Sequence, residues 1–204
     1  MISRASSATD KRMRQRLAME AARIMAEEGV DDYGAAKRKA ATRLGAADTR
    51  NLPRNDEIEQ ALEEYLRLFK SDTQPAKLKQ LRQTAVQAMR FVEQFNPRLV
   101  GPVLHGTAAE HSGVNLHVFT DVPEEVGLFL GHKHIPHELA DKHLTLMDGS
   151  PASYPIYRFV AQDVAIELVV FPVDGIRQAP RSPTDGRPIR RAAVTAVEKL
   201  LAGS

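Results

Sequence analysis

The stretch Val103-Leu104-His105-Gly106-Thr107-Ala108-Ala109-Glu110-His111-Ser112-Gly113-Val114-Asn115-Leu116-His117-Val118-Phe119-Thr120-Asp121 changes character along its length. Val103 to His105 is a short apolar run that reads as a strand and ends in Gly106-Thr107. A short polar loop follows, and from Asn115 to Phe119 polar and apolar residues alternate as in a second strand. Strand period two puts Asn115, His117, Phe119 and Asp121 on one face and Leu116, Val118 and Thr120 on the other. A sheet is therefore expected, with polar side chains gathered on one of its faces.

Downstream, Tyr154–Ala161 and Val164–Phe171 carry strand signals, and Gln162-Asp163 between them is short enough for a hairpin. Pro123 sits where a first helical turn would place it, ahead of Glu124-Glu125. A closing helix is expected from Ile189 to Leu201. Upstream, a long helix is expected from Lys77 to Phe95, with Leu78, Leu81, Ala85, Ala88 and Val92 inward and Asn96-Pro97 stopping it.

The first third of the chain reads as helices alone. Leu17, Ala21, Ile24 and Met25 recur at helical spacing until Gly29, which is placed to end that helix. Asp31 or Asp32 can cap a second helix carrying Tyr33, Ala36, Ala40 and Leu44 and closed by Gly45. Pro53 and Asn55 introduce a third, whose apolar stripe is Ile58, Leu62, Tyr65, Leu66 and Phe69. Ser71 to Pro75 reads as a linker. The expected organisation is α+β, with a helical N-terminal domain over residues 1–72 and a mixed sheet flanked by helices over residues 73–204.

Length and hydrophobic content, 204 residues and 43%, suffice for one good core and a small accessory domain. No apolar run approaches the roughly 20 residues of a membrane-spanning helix, and Met1 to Asp10 lacks the apolar segment of a secretory signal. The expectation is a cytoplasmic protein with no membrane partner. Without cysteine the chain has no disulfide, thiolate nucleophile or cysteine zinc site. The net charge of +2 hides a segregation: from Gly101 to Gly175 there are three basic and ten acidic residues, whereas the segments before Asn51 and after Gly175 are basic. Lys37, Arg38, Lys39 and Arg43 make the second helix basic on its polar side, which opens a nucleic-acid reading.

The Gly-Thr pair after an apolar run, the strand at Asn115–Phe119 and a later strand with one acidic residue together resemble the active-site signature of the polymerase-beta-like nucleotidyltransferase superfamily. The resemblance covers about two thirds of the chain and implies a core of helix, strand, Gly-Thr turn, strand, helix and late strands. It also implies Gly106 and Thr107 at the phosphates of a nucleoside triphosphate. The family's two acidic metal-binding positions fall on Asn115 and His117, and its third on Glu167.

Such chemistry is an in-line displacement at phosphorus, in which hard divalent cations held by carboxylates neutralise charge. Asn115 and His117 are neutral in their ligating forms, so magnesium or manganese binding should be weakened and zinc or another transition metal relatively favoured. Three outcomes stay open: a site that binds nucleotide without turnover, a rearranged carboxylate set drawn from Glu110, Asp121 and Glu167, or a transition-metal site. All seven histidines lie between His105 and His143, most densely at His132, His134 and His137, and His105 and His117 fall nearest the expected site.

Glu167 has independent weight, because a lone carboxylate in the apolar run Ala165-Ile166-Glu167-Leu168-Val169-Val170 needs a partner or solvent. In the tail, Arg187, Arg190 and Arg191 would clamp phosphates if the last helix packs beside the site. No serine-hydrolase elbow, dinucleotide fingerprint or phosphate loop is present.

The sequence therefore predicts a divergent nucleotidyltransferase-like protein that binds a nucleoside triphosphate. Glu167, His117 and Asp121 would be its catalytic groups, Gly106, Thr107, Arg187 and Arg190 its phosphate contacts, and Asn115, His117 and Glu167 its metal positions. If active, it would transfer a nucleoside monophosphate to an acceptor. The competing expectation is a noncatalytic module that binds nucleotide, RNA or a protein partner and keeps only the fold.

Overall fold

The computed structural model describes residues 2–46 and 51–203, and the chain is α+β, with N-terminal helices followed by a five-stranded mixed sheet. It forms two compact units. The first comprises Met1–Gln74 with Ala109–His111 and Pro183–Asp185; the second comprises Pro75–Ala108, Ser112–Ser182 and Gly186–Ser204.

The first unit is built on α1 (Ile2–Glu28), α2 (Tyr33–Arg43) and α3 (Asn55–Phe69). Gly29, at φ +67°, follows the end of α1, and Asp32 caps α2 by accepting a hydrogen bond from the Ala35 amide at 2.6 Å. At α3 the partner comes from inside the helix, Glu57 in the first turn reaching back to accept from the Arg54 amide at 2.7 Å. Leu17, Ala21 and Ile24 of α1 are fully buried against Ala36, Ala40, Ile58 and Leu62. Small alanines on α2 let the helices approach closely. Phe69, last of the α3 stripe, is 68% exposed and stacks at 5.0 Å on Tyr65.

In the second unit, α4 (Gln74–Phe91) is followed by a 3-10 turn at Glu93–Phe95 and by β1 (Arg98–Val100). The order then runs α5 (Pro102–His105), β2 (Val114–Phe119), α6 (Glu124–His132), β3 (Glu138–Thr145), β4 (Pro151–Ala161), β5 (Val164–Phe171), a 3-10 turn at Val173–Arg177 and α7 (Val194–Ala202). The strands are ordered β1-β2-β5-β4-β3, with β2 and β5 parallel and every other pair antiparallel. Gln162 and Asp163 both have positive φ, +51° and +62°, the backbone of a two-residue hairpin turn.

Three expectations are corrected. Val103–His105 is helical: Pro102 opens α5 at its first turn, and Gly106 closes it in the left-handed conformation at φ +91°. Pro at the start and Gly just past the end are the marks of a helix, and they outweigh the apolar character of three residues. The strand that precedes β2 is β1, Arg98–Val100, upstream of the expected span. Second, Glu138–Thr145 forms an edge strand that the sequence reading missed. Third, the closing helix starts at Val194 because the preceding segment is extended: Leu99 and Ala192 exchange backbone hydrogen bonds, both at 2.9 Å, along the outer edge of β1.

The sheet has two unlike faces. Leu99, Leu116, Val118, Ile166, Leu168, Val170, Tyr157 and Phe159 pack with Leu81, Ala85 and Met89 of α4, Val126 and Leu130 of α6 and Val197 of α7. On the other face Phe119, Ile156, Val169 and Phe171 form a smaller apolar cluster. Beside that cluster the same face carries Arg98, Asn115, His117, Arg158 and Glu167.

Candidate functional site

The polar face follows from strand register. Asn115 lies beside Glu167, His117 beside Val169 and Phe119 beside Phe171 across the parallel pair β2–β5. Period two then gives Asn115, His117 and Glu167 the same face, away from the helix-covered core. The antiparallel pairings bring Arg158 of β4 opposite Glu167 and Arg98 of β1 opposite His117.

Glu167 is held by two cations from neighbouring strands. Its Oε1 accepts from Arg158 Nε at 2.7 Å and its Oε2 from Lys142 Nζ, on β3, at 3.2 Å. Burial pushes its pKa up, but the Arg158 hydrogen bond and the Lys142 charge outweigh that, and the carboxyl stays below its ordinary range. The partner that the apolar run demanded is thus a pair of basic side chains.

His117 is only 3% exposed, and its Nδ1 accepts a hydrogen bond from Arg191 Nε at 3.0 Å. The proton of a neutral ring must then sit on Nε2. Arg191 Nη1 also donates to the carbonyls of Gly175 (2.7 Å) and Ile176 (3.3 Å). Its guanidinium carbon lies 4.8 Å from the Phe171 ring centroid and 5.1 Å from that of Phe119. Arg191 Nη2 is buried with no hydrogen-bond partner. Burial lowers the Arg191 pKa to about 10, so the group remains a cation at neutral pH.

The other expected residues fall elsewhere. Gly106 caps α5 beside Leu78 and Arg82 of α4, and Thr107 is buried, its amide donating to the Pro102 carbonyl at 3.1 Å. The glycine that approaches Asn115 is Gly101, at the end of β1, where an added Cβ would lie 3.1 Å from Asn115 Nδ2. Gly101 has φ +74° and ψ −157°, a region that only glycine occupies without strain. Gly101→Ala is expected to cost about 2 kcal/mol, measured as a shift of the urea unfolding midpoint at unchanged slope. A midpoint equal to that of the parent protein would mean that the β1–α5 junction tolerates a side chain.

Asp121 binds backbone: its Oδ1 accepts from the Val173 amide at 3.0 Å, tying the end of β2 to the turn after β5. Arg187 and Arg190 are exposed, while Arg191, the third arginine of that segment, reaches the polar face. Glu110 belongs to the helical unit. Among the described residues no group of three or more His, Asp or Glu side chains is placed to hold a metal ion.

The donor set on the polar face does not fit a hard divalent cation. Asn115 and His117 bring no charge, Glu167 is engaged by Arg158 and Lys142, and Arg191 is hydrogen-bonded to the imidazole nitrogen that faces it. Around Asn115, His117 and Glu167 the cations Arg158, Lys142 and Arg191 outnumber the Glu167 carboxylate, an arrangement that repels metal ions and attracts anions.

Arg158 and Lys142 were missed as site residues. Arg158 was within reach of the sequence, since the tight turn at Gln162-Asp163 fixes its position opposite Glu167. Lys142 was not, because the strand that carries it had not been recognised. Two of the four basic residues of α2 are engaged within their own unit: Lys39 pairs with Glu28, and Arg43 pairs with Glu28 at 2.6 Å and Glu20 at 3.3 Å. Among the described residues no helix is long and apolar enough to cross a membrane.

Comparison with known proteins finds no matching family model, no matching curated protein and no matching solved structure.

Proposed function

We propose that the sheet unit is a noncatalytic nucleotide-binding module, one that keeps a nucleotidyltransferase-like frame and takes the phosphates of a nucleoside triphosphate on the polar face without a metal ion. The observation that carries this reading is the gathering of Arg158, Lys142 and Arg191 around Asn115, His117 and Glu167. Nucleotidyl transfer needs metal-held charge at the reacting phosphorus, whereas binding needs only cationic donors. The buried Arg191 Nη2 supports the same reading, since a phosphate oxygen drawn to that edge would satisfy it.

Calorimetric titration of the metal-stripped protein with ATP and GTP, with magnesium, manganese and zinc each added in turn, tests the proposal. Binding is expected without metal, is not strengthened by any of the three, and weakens about ten-fold in Lys142→Gln and in Arg158→Gln through loss of a charge-assisted contact. Binding that requires metal, or release of pyrophosphate, would instead indicate a working transferase. No heat with either nucleotide under any ion would overturn the nucleotide reading altogether.

A further inference from the structure

A second site lies at the carboxyl ends of the two parallel strands and is independent of the nucleotide reading. There a cavity of about 610 Å³ is lined by Gln94, Phe95, Phe119, Thr120, Glu125 and Phe129, with Val173 and His132 also contributing. Its volume falls in the range of small-molecule pockets, and the ends of parallel strands are where open α/β sheets present ligand crevices.

Its chemistry is that of an aromatic wall with one acid. Phe95 and Phe129 meet edge to face at 5.7 Å and supply the wall, while Phe119 lines the cavity from the end of β2 with its ring packed on Phe171 and Arg191 on the other face of the sheet. Among the described lining residues Glu125 is the one with a fixed charge. Its Oε2 accepts from the Thr120 hydroxyl at 3.0 Å, which holds the carboxylate in place. Asp121, next in the chain, binds the amide of the lining residue Val173, so the surroundings are further acidic. Outside the lining, Lys133 Nζ lies 5.8 Å from the Phe129 centroid, a positive charge at the face of that ring. We propose that this cavity binds a small organic cation, an amine whose apolar body packs on Phe95 and Phe129 while its ammonium donates to the Glu125 carboxylate.

The test uses three probes of one shape: phenethylamine, neutral 2-phenylethanol and anionic phenylacetate, titrated into the full chain and followed by amide chemical shifts. Phenethylamine is expected to shift Thr120, Glu125 and Phe129 saturably. The alcohol should bind about ten-fold more weakly and phenylacetate should not saturate. Glu125→Gln keeps an acceptor for Thr120 and should lower phenethylamine affinity by about the same factor while leaving the alcohol unchanged. Phe129→Leu, which retains the acid and trims the aromatic wall, should weaken the amine by about three-fold. Equal binding of the three probes, shifts confined to other residues, or an unaltered affinity in Glu125→Gln would each overturn the proposal.

Discussion

Replacing Arg191 by alanine is expected to lower the free energy of unfolding by about 2–4 kcal/mol, read from urea denaturation. Arg191 makes three kinds of contact at once: hydrogen bonds to two backbone carbonyls, one to His117 Nδ1, and stacking over Phe119 and Phe171. Alanine removes all three and leaves the Gly175 and Ile176 carbonyls and the imidazole nitrogen without that donor. Lysine restores the charge but not the planar fork, so Arg191→Lys should recover less than half of the loss. If Arg191→Ala unfolds within about 0.5 kcal/mol of the parent protein, the residue is a surface charge and the polar face has no anchor.

Acid sensitivity follows from His117. Burial, then the charges of Arg191 and Lys142, lower its pKa to about 3, against about 6.5 for an unfolded histidine. Between those values the unfolded chain takes up a proton that the folded chain refuses. Stability is therefore complete above pH 6.5 and falls as the pH drops toward 3, with a limiting loss on the order of 4 kcal/mol. Glu167, its pKa held low in the fold, adds a loss of the same sign once the pH falls below the ordinary carboxylate range. Unfolding free energies measured at several pH values between 7 and 4, for the parent protein and for His117→Gln, separate the two contributions. The variant should show a flatter profile above the carboxylate range; identical profiles would mean that the folded protein admits the proton on His117.

These two residues also show what could be read without a structure. The placement of Asn115 and His117 on one face follows from period two, whereas the alignment of Glu167 with them rests on the β2–β5 register. The N-terminal caps were equally legible, since Asp32 and Gly29 act through local chemistry. What escaped was whatever depended on neighbours distant in sequence. Glu138–Thr145 lacks strand alternation, with Leu139-Ala140 and Asp141-Lys142 adjacent and Thr145 its one β-branched side chain; it is held as a strand by β4, with charges suited to an exposed edge. Without that strand Lys142 had no address, and the identity of Glu167's partners could not be derived. The strand before the Gly-Thr pair was misplaced for another reason: Leu99-Val100 and Val103-Leu104 are both short apolar pairs closed by a nearby glycine, and only Pro102 between them tells which one is the strand.

The pairing of Ala192 with Leu99 has a kinetic consequence. β1 sits at one margin of the sheet, and its outward backbone groups are satisfied by a segment made almost a hundred residues later. During synthesis β1 and β2 can pair long before that segment emerges, so the margin waits with unmet donors and acceptors through most of the remaining chain. The loop that finally closes over it is long, which makes this step slow relative to the β4–β5 hairpin. A three-residue strand offers little for another chain to grip in that interval, and its brevity is itself the protection against mispairing.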